Sequence, residues 1–260
     1  MIQLTDTFAW LVDPSNWSGS GGIVTRVLEH LWYCVLALVL AIIIAVPAGL
    51  YIGHTGKGRG IAIGLTGALR ALPSLGLLTL LAVTMGLGLK LAIVPSTIVL
   101  AILAIPPLLA ASYSGVEAVD GEVVDGARAT GLSEWQIVRR VEIPLAGPLL
   151  VGGLRSAILQ VIATATLSAY LGLGGLGRFI FDGQAVRDYT QMLGGAIVVI
   201  VLALTIDGLV LLAKKVLVPE GIGIALGTTV AKVTHPHSHP AEAHDSAVDP
   251  DEAALVVTAD

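Results

Sequence analysis

The chain is poor in charge. Only 13% of its 260 residues are Asp, Glu, Lys or Arg, about half the roughly 25% of an ordinary soluble domain. The shortage is concentrated, because Leu31–Gly53, Ala71–Leu89, Leu91–Val116, Ser156–Gly177 and Tyr189–Ile206 contain none of the four. Each run is near or above the roughly 20 apolar residues that a helix needs to cross a bilayer. With 55% hydrophobic residues and a mean hydropathy of +0.88, this excludes a soluble enzyme and a nucleic-acid binder. The single cysteine, Cys34, lies inside the first apolar run; it excludes an internal disulfide and reads as a small apolar packer. No Lys or Arg precedes Arg26, so the basic region of a cleaved signal peptide is missing. Aromatic residues are only 5%, and the spans offer few rings to a cation: Trp32, Tyr33, Tyr51, Tyr113 and Tyr170.

What remains is an all-α, polytopic membrane protein. Spans are expected near 29–53, 61–85, 90–113, 146–170 and 190–213. A lead-in over 1–27 carries Trp10 and Trp17, residues suited to a membrane interface. The transmembrane domain runs over 28–218, and the His-rich, acidic segment 219–260 has the composition of a disordered tail. Six of the nineteen acids fall in the last forty residues against one base, so the rest of the chain is close to neutral. With the N-terminus outside, Lys57, Arg59, Arg128, Arg139, Arg140, Lys214, Lys215 and Lys232 are cytoplasmic, and Arg26, Lys90, Arg178 and Arg187 are not. Eight against four sets the expected topology in the cell membrane as N-out, C-in.

Several motifs fail on their context. Gly172–Gly177 (GLGGLG) fits the spacing of a dinucleotide fingerprint, but such a fingerprint follows a soluble strand and opens a helix; here the glycines follow a membrane span. Gly53–Gly58 (GHTGKG) has two residues between glycines where a phosphate loop needs four. No cofactor site, catalytic constellation or metal centre is expected. His235, His237, His239 and His244 are ligand types, but the interleaved prolines prevent helical spacing.

The informative stretch is the long loop over 117–145. Val119–Ala129 is expected to form a short helix with small residues available for close approach, and Gly131 permits a chain reversal. Ser133 and Gln136 have the spacing of a capping box at the start of a second helix. That helix is expected to present Trp135, Ile137, Val138 and Val141 as an apolar face and to end at Pro144. The product is a helix-turn-helix knob; its plain alternative is a helix lying on lipid.

This loop resembles the EAA motif of permease subunits in bacterial ABC importers, E-A-A-x3-G-x9-I-x-L-P. Asp125, Gly126 and Ala127 stand for E-A-A, Gly131 for the glycine, Val141 for the isoleucine, and Ile143 and Pro144 for L-P. Leu72–Leu78 (LPSLGLL), Gly86–Gly88 (GLG) and Gly174–Gly177 (GLG preceded by Gly174) extend the resemblance to permeases of osmoprotectant (glycine betaine, carnitine, choline) importers, over roughly Leu28–Lys215. The resemblance implies a type I importer permease fold with the loop docked on a separate ABC ATPase, which binds ATP and Mg. It also implies a second permease subunit, the same chain or a paralogue, and an extracytoplasmic substrate-binding protein. Trp135 and Val138 would then anchor the ATPase contact. Arg70, standing before the Pro73–Ser74 pair, departs from the polar uncharged residue expected there.

Charges inside spans are functional candidates. Arg155 lies roughly 15 Å up the fourth span and Asp207 roughly 10 Å from the end of the fifth at about 1.5 Å per residue, so the two are expected to pair. Pro73, Pro95, Pro106 and Pro107 are expected to break spans two and three, either lining a path or packing on protein. Two other substrate or mechanism classes stay open: an amino acid such as methionine, and an ion-coupled secondary transporter, for which only Asp207 supplies an intramembrane acid.

Overall fold

The computed structural model describes residues 4–217; the expected tail over 219–260 lies outside them. All regular structure among the described residues is helical. The order is α1 (Leu4–Val12), α2 (Ile23–Thr55), α3 (Arg59–Ala71), α4 (Ser74–Met85), α5 (Ile93–Glu117), α6 (Gly121–Ala129), α7 (Glu134–Ile137), α8 (Ile143–Thr164), α9 (Gly177–Val186) and α10 (Tyr189–Leu217). Four helical stretches are long and apolar enough to cross a membrane, and the α3–α4 pair makes a fifth if counted together. Helices are what the composition demands, because a span in hydrocarbon must satisfy its own backbone.

Helix α5 is the central element, packed lengthwise between α2 and α8. The contact with α2 rests on small residues one turn apart: Ala37, Ala41, Ala45 and Gly49 are all buried. A side chain at Gly49 would overlap Ser112, and one at Gly153 of α8 would overlap Ala111. Without a hydrophobic force between helices in lipid, such close backbone approach provides the packing energy. The opposite face of α2 carries Val24, Leu28, Trp32, Val35, Val39 and Ile43, all exposed, as suits a lipid-facing stripe.

Prolines act differently from expectation. The second span is indeed broken, with α3 and α4 bent by 89° at Leu72–Pro73. Pro95, Pro106 and Pro107, however, lie within the unbroken α5, which corrects the expected break in span three. Neighbouring helices cover α5 on both flanks, and such packing lets a membrane helix keep its course past proline. Pro144 does not end the loop's second helix either. A π-helical turn over Val138–Glu142, closed by Ile143 N–H donating to Val138 O, carries α7 directly into α8. A widened turn of this kind absorbs the proline's missing donor.

Two elements were not foreseen, α1 and α9. Trp10 of α1 packs edge-on against Phe179 of α9, centroids 5.4 Å apart, and joins the cluster around Ile23 and Leu176. Trp17 donates from Nε1 to Leu11 O at 2.7 Å. Helix α2 begins at Ile23, inside the expected lead-in.

Candidate functional site

The knob is built by local rules. Asp120 caps α6 by accepting from Glu122 N–H at 2.9 Å. Gly131 turns the chain at φ +86°, a conformation that side chains with a Cβ resist. Ser133 N–H donates to Gln136 Oε1 at 2.8 Å, closing the capping box that starts α7.

Ion pairs then tie the knob to the end of α2. Arg128 of α6 donates from Nη1 to Asp125 Oδ1 at 2.7 Å, and from Nε and Nη2 to the two oxygens of Glu134 at 2.8 and 3.0 Å. The Glu134 carboxylate raises the Arg128 pKa further above its ordinary value. Glu134 Oε2 lies 3.2 Å from His54 Nε2, and His54 Nδ1 lies 2.8 Å from Glu142 Oε1. Exposed pairs of the Arg128 kind contribute little to stability. Glu142 differs, being only 3% exposed, and a buried carboxylate deprived of its partner costs about 3–5 kcal/mol. Neither His54 nor Glu142 was singled out from the sequence; the available signals were a histidine at the end of a span and a carboxylate between the loop and Pro144.

The structure sorts the motif residues by exposure. Asp125, Gly126, Gly131 and Pro144 are exposed, while Ala127, Val141 and Ile143 are half-buried. Trp135 is 69% exposed, but Val138 is 8% exposed and Ile137 fully buried. The two anchors expected of the knob thus differ in exposure. Both nevertheless line one groove with Pro47, Leu50, Tyr51 and His54, Trp135 largely exposed and Val138 nearly buried.

A family profile described as "Binding-protein-dependent transport system inner membrane component" matches residues 25–220. The chain belongs to this family. Among its relatives is the glycine betaine/carnitine/choline transport system permease protein OpuCB of Bacillus subtilis, 33% identical over 205 residues, 79% of this chain and 93% of that protein. The carnitine transport permease protein OpuCB of Listeria monocytogenes is 35% identical over 185 residues, 71% and 83% of the two chains. The osmoprotectant import permease protein OsmW of Salmonella typhimurium is 29% identical over 218 residues, 84% and 99%. A solved structure of the MetNI methionine ABC transporter, inward facing, matches with a TM-score of 0.64 at 22% identity over 76% of this chain and 96% of that one; that likeness concerns the fold.

Elsewhere in the permease, Arg155 of α8 and Asp207 of α10 stand together, with Arg155 Nη2 donating to Asp207 Oδ2 at 2.8 Å. Arg70 is exposed in the last turn of α3, and Pro73 and Ser74 form the start of α4 at the bend. The GLGGLG segment owes its glycines to left-handed backbone at Gly172 (φ +80°) and Gly175 (φ +86°) and to packing at the other two. A side chain at Gly174 would overlap the Glu29 carboxylate, and one at Gly177 would overlap the Thr166 carbonyl. Gly175 N–H donates to Glu29 Oε2 at 2.8 Å, and Arg26 pairs with the same oxygen at 2.8 Å. One carboxylate of α2 thus latches the loop.

Proposed function

We propose that this chain forms the translocation path of an ABC importer for a small quaternary-ammonium solute, such as glycine betaine, carnitine or choline. The α6–α7 knob faces the cytoplasm and docks on a separate ATPase that binds ATP and Mg. A second permease subunit completes the path, and an extracytoplasmic binding protein delivers the solute. The observation that carries this reading is the knob itself, a capped helix-turn-helix with Trp135 outside and a helical continuation into α8.

That continuation makes the knob a lever. Movement imposed on α6 and α7 by closing ATPases is transferred to α8 through the π-turn and to α2 through His54. The bundle then rocks between inward- and outward-open forms, a two-state change of interface. The N-terminus lies outside in this topology, which puts Lys57, Arg59, Arg128, Arg139, Arg140 and Lys214 on the cytoplasmic side. Relatives named for osmoprotectants support the solute class.

The experiment is co-purification of the chain with its ATPase in mild detergent, wild type against Gly131→Asp, followed by solute uptake in proteoliposomes. A complex that forms with wild type and is lost in the variant, with glycine betaine uptake by the wild type, is the expected result. Failure of any ATPase to co-purify with wild type refutes the coupling role.

A further inference from the structure

The Arg155–Asp207 pair is not sealed inside this chain. Arg155 stands in the middle of α8 (Ile143–Thr164), and its side chain keeps 40% of its surface open, against 18% for Asp207. The carboxylate accepts from Nε and Nη2, while Nη1 takes no partner among the described residues. A charged group inside a span faces the bundle interior or a water-filled cavity, because hydrocarbon does not solvate it. Snorkelling is closed to Arg155, which lies roughly 13 Å from the nearer end of α8 at 1.5 Å per residue. The interior is closed to it as well. The inward face of α8 consists of Ala146, Gly153, Ala157 and Val161, all buried. Asp207 covers one side of the guanidinium, and the uncovered side looks out of this chain.

The outward face of α8 agrees in character. Leu149 is 41% exposed, Ser156 and Ala163 are exposed, and Gly152 has free space beyond its Cα. Steps of three, four and seven residues place these four on one side of the helix. The Ser156 hydroxyl donates to Gly152 O at 3.1 Å, so it stands there without cost in a helix. The exposed stripe of α2 is different, for Val24, Leu28, Trp32, Val35, Val39 and Ile43 are all large and apolar. Bulky apolar side chains are what lipid favours. A guanidinium, a hydroxyl, a glycine and an alanine along an open face are not.

We propose that the face of α8 carrying Arg155 and Ser156 borders the water-filled translocation path, which the second permease subunit closes from the far side. This deepens the transporter reading and rests on it. Water in the path solvates the free Nη1, which neither lipid nor this chain does. Ser156 and Ala163 are path-lining positions, and the missing side chain at Gly152 widens the path between them. Because Arg155 and Asp207 carry no net charge together, the wall neither repels a quaternary ammonium group nor holds a carboxylate by net attraction.

The test uses the chain's own cysteine content. Cys34 is the only cysteine and is buried, so an introduced cysteine is read over a silent background. Ser156→Cys and Ala163→Cys are placed in the complete transporter in lipid nanodiscs, with Val39→Cys on α2 as the lipid-facing control. A charged, membrane-impermeant methanethiosulfonate is added with and without ATP. Both α8 variants are expected to react at least about tenfold faster than Val39→Cys in one of the two nucleotide states, because the thiolate is the reacting form and needs water. Labelling as slow as at Val39→Cys in both states places this face against lipid or dry protein and overturns the assignment. Should one α8 variant fail to assemble, the other gives the same readout. Failure of wild type to take up glycine betaine overturns the osmoprotectant reading alone, since labelling needs no solute.

Discussion

Arg155 of α8 and Asp207 of α10, fifty-two positions apart, face each other in a two-point ion pair, with Nε to Oδ1 and Nη2 to Oδ2. Each charge alone in an apolar span is costly, and pairing offsets the cost. Arg155→Ala and Asp207→Ala are each expected to lower the unfolding temperature of the permease, because each leaves the other charge without its partner. The double variant should be no worse than either single. Thermal unfolding of the detergent-solubilised protein checks this, and additive losses would refute a stabilising pair.

His54 and Glu142 form the most buried link between the knob and α2. His54→Ala strands a buried carboxylate and should cost about 3 kcal/mol, whereas His54→Ala with Glu142→Ala should recover most of it, since removing both partners removes the desolvation penalty. Limited proteolysis over 121–142 reports the loosened knob. Equal protease sensitivity in wild type and His54→Ala would show that the link does not hold it.

Trp135 and Val138 should separate docking from folding. Trp135→Ala leaves the unfolding temperature nearly unchanged, as surface changes usually fall within about 0.5 kcal/mol, yet weakens ATPase association at least tenfold if the ring is a central anchor. Val138→Ala does the reverse, costing about 1–2 kcal/mol of stability. Co-purification yield and thermal melting, measured on both variants, distinguish the outcomes.

Gly153 and Gly147 lie on the same helix with opposite surroundings. A methyl group at Gly153 overlaps Ala111, whereas Gly147 has open space around its Cα. Gly153→Ala should therefore cost about 1–3 kcal/mol by overpacking, and Gly147→Ala should be neutral or gain up to about 1 kcal/mol of helix propensity. Similar melting of the two variants would contradict the close α5–α8 approach.

The sequence by itself determined the features that depend on near neighbours. Charge-free runs marked the apolar segments, four of them unbroken spans and a fifth only if α3 and α4 count together, because length and apolarity decide whether a segment can enter hydrocarbon. The spacing of Ser133 and Gln136 and the place of Gly131 gave the knob, because capping and left-handed turns act over three or four residues. Even the pairing of Arg155 with Asp207 was accessible from depth alone. What the tertiary structure decided were matters of contact across the chain. Whether proline breaks a helix depends on what covers the freed carbonyls: flanking helices carry α5 past Pro106 and Pro107, while the chain at Pro73 bends by 89°. Val138 lost most of its exposure because α7 runs on into α8 through a π-turn that no local rule announces. His54 met Glu142 across eighty-eight positions, and Ser74 came to share a cavity with Ser168, only because α2, α4, α5 and α8 pack where small residues let them approach. Local hydrogen bonding and apolarity fix elements; the close fit of helix against helix fixes which side chains they bring together.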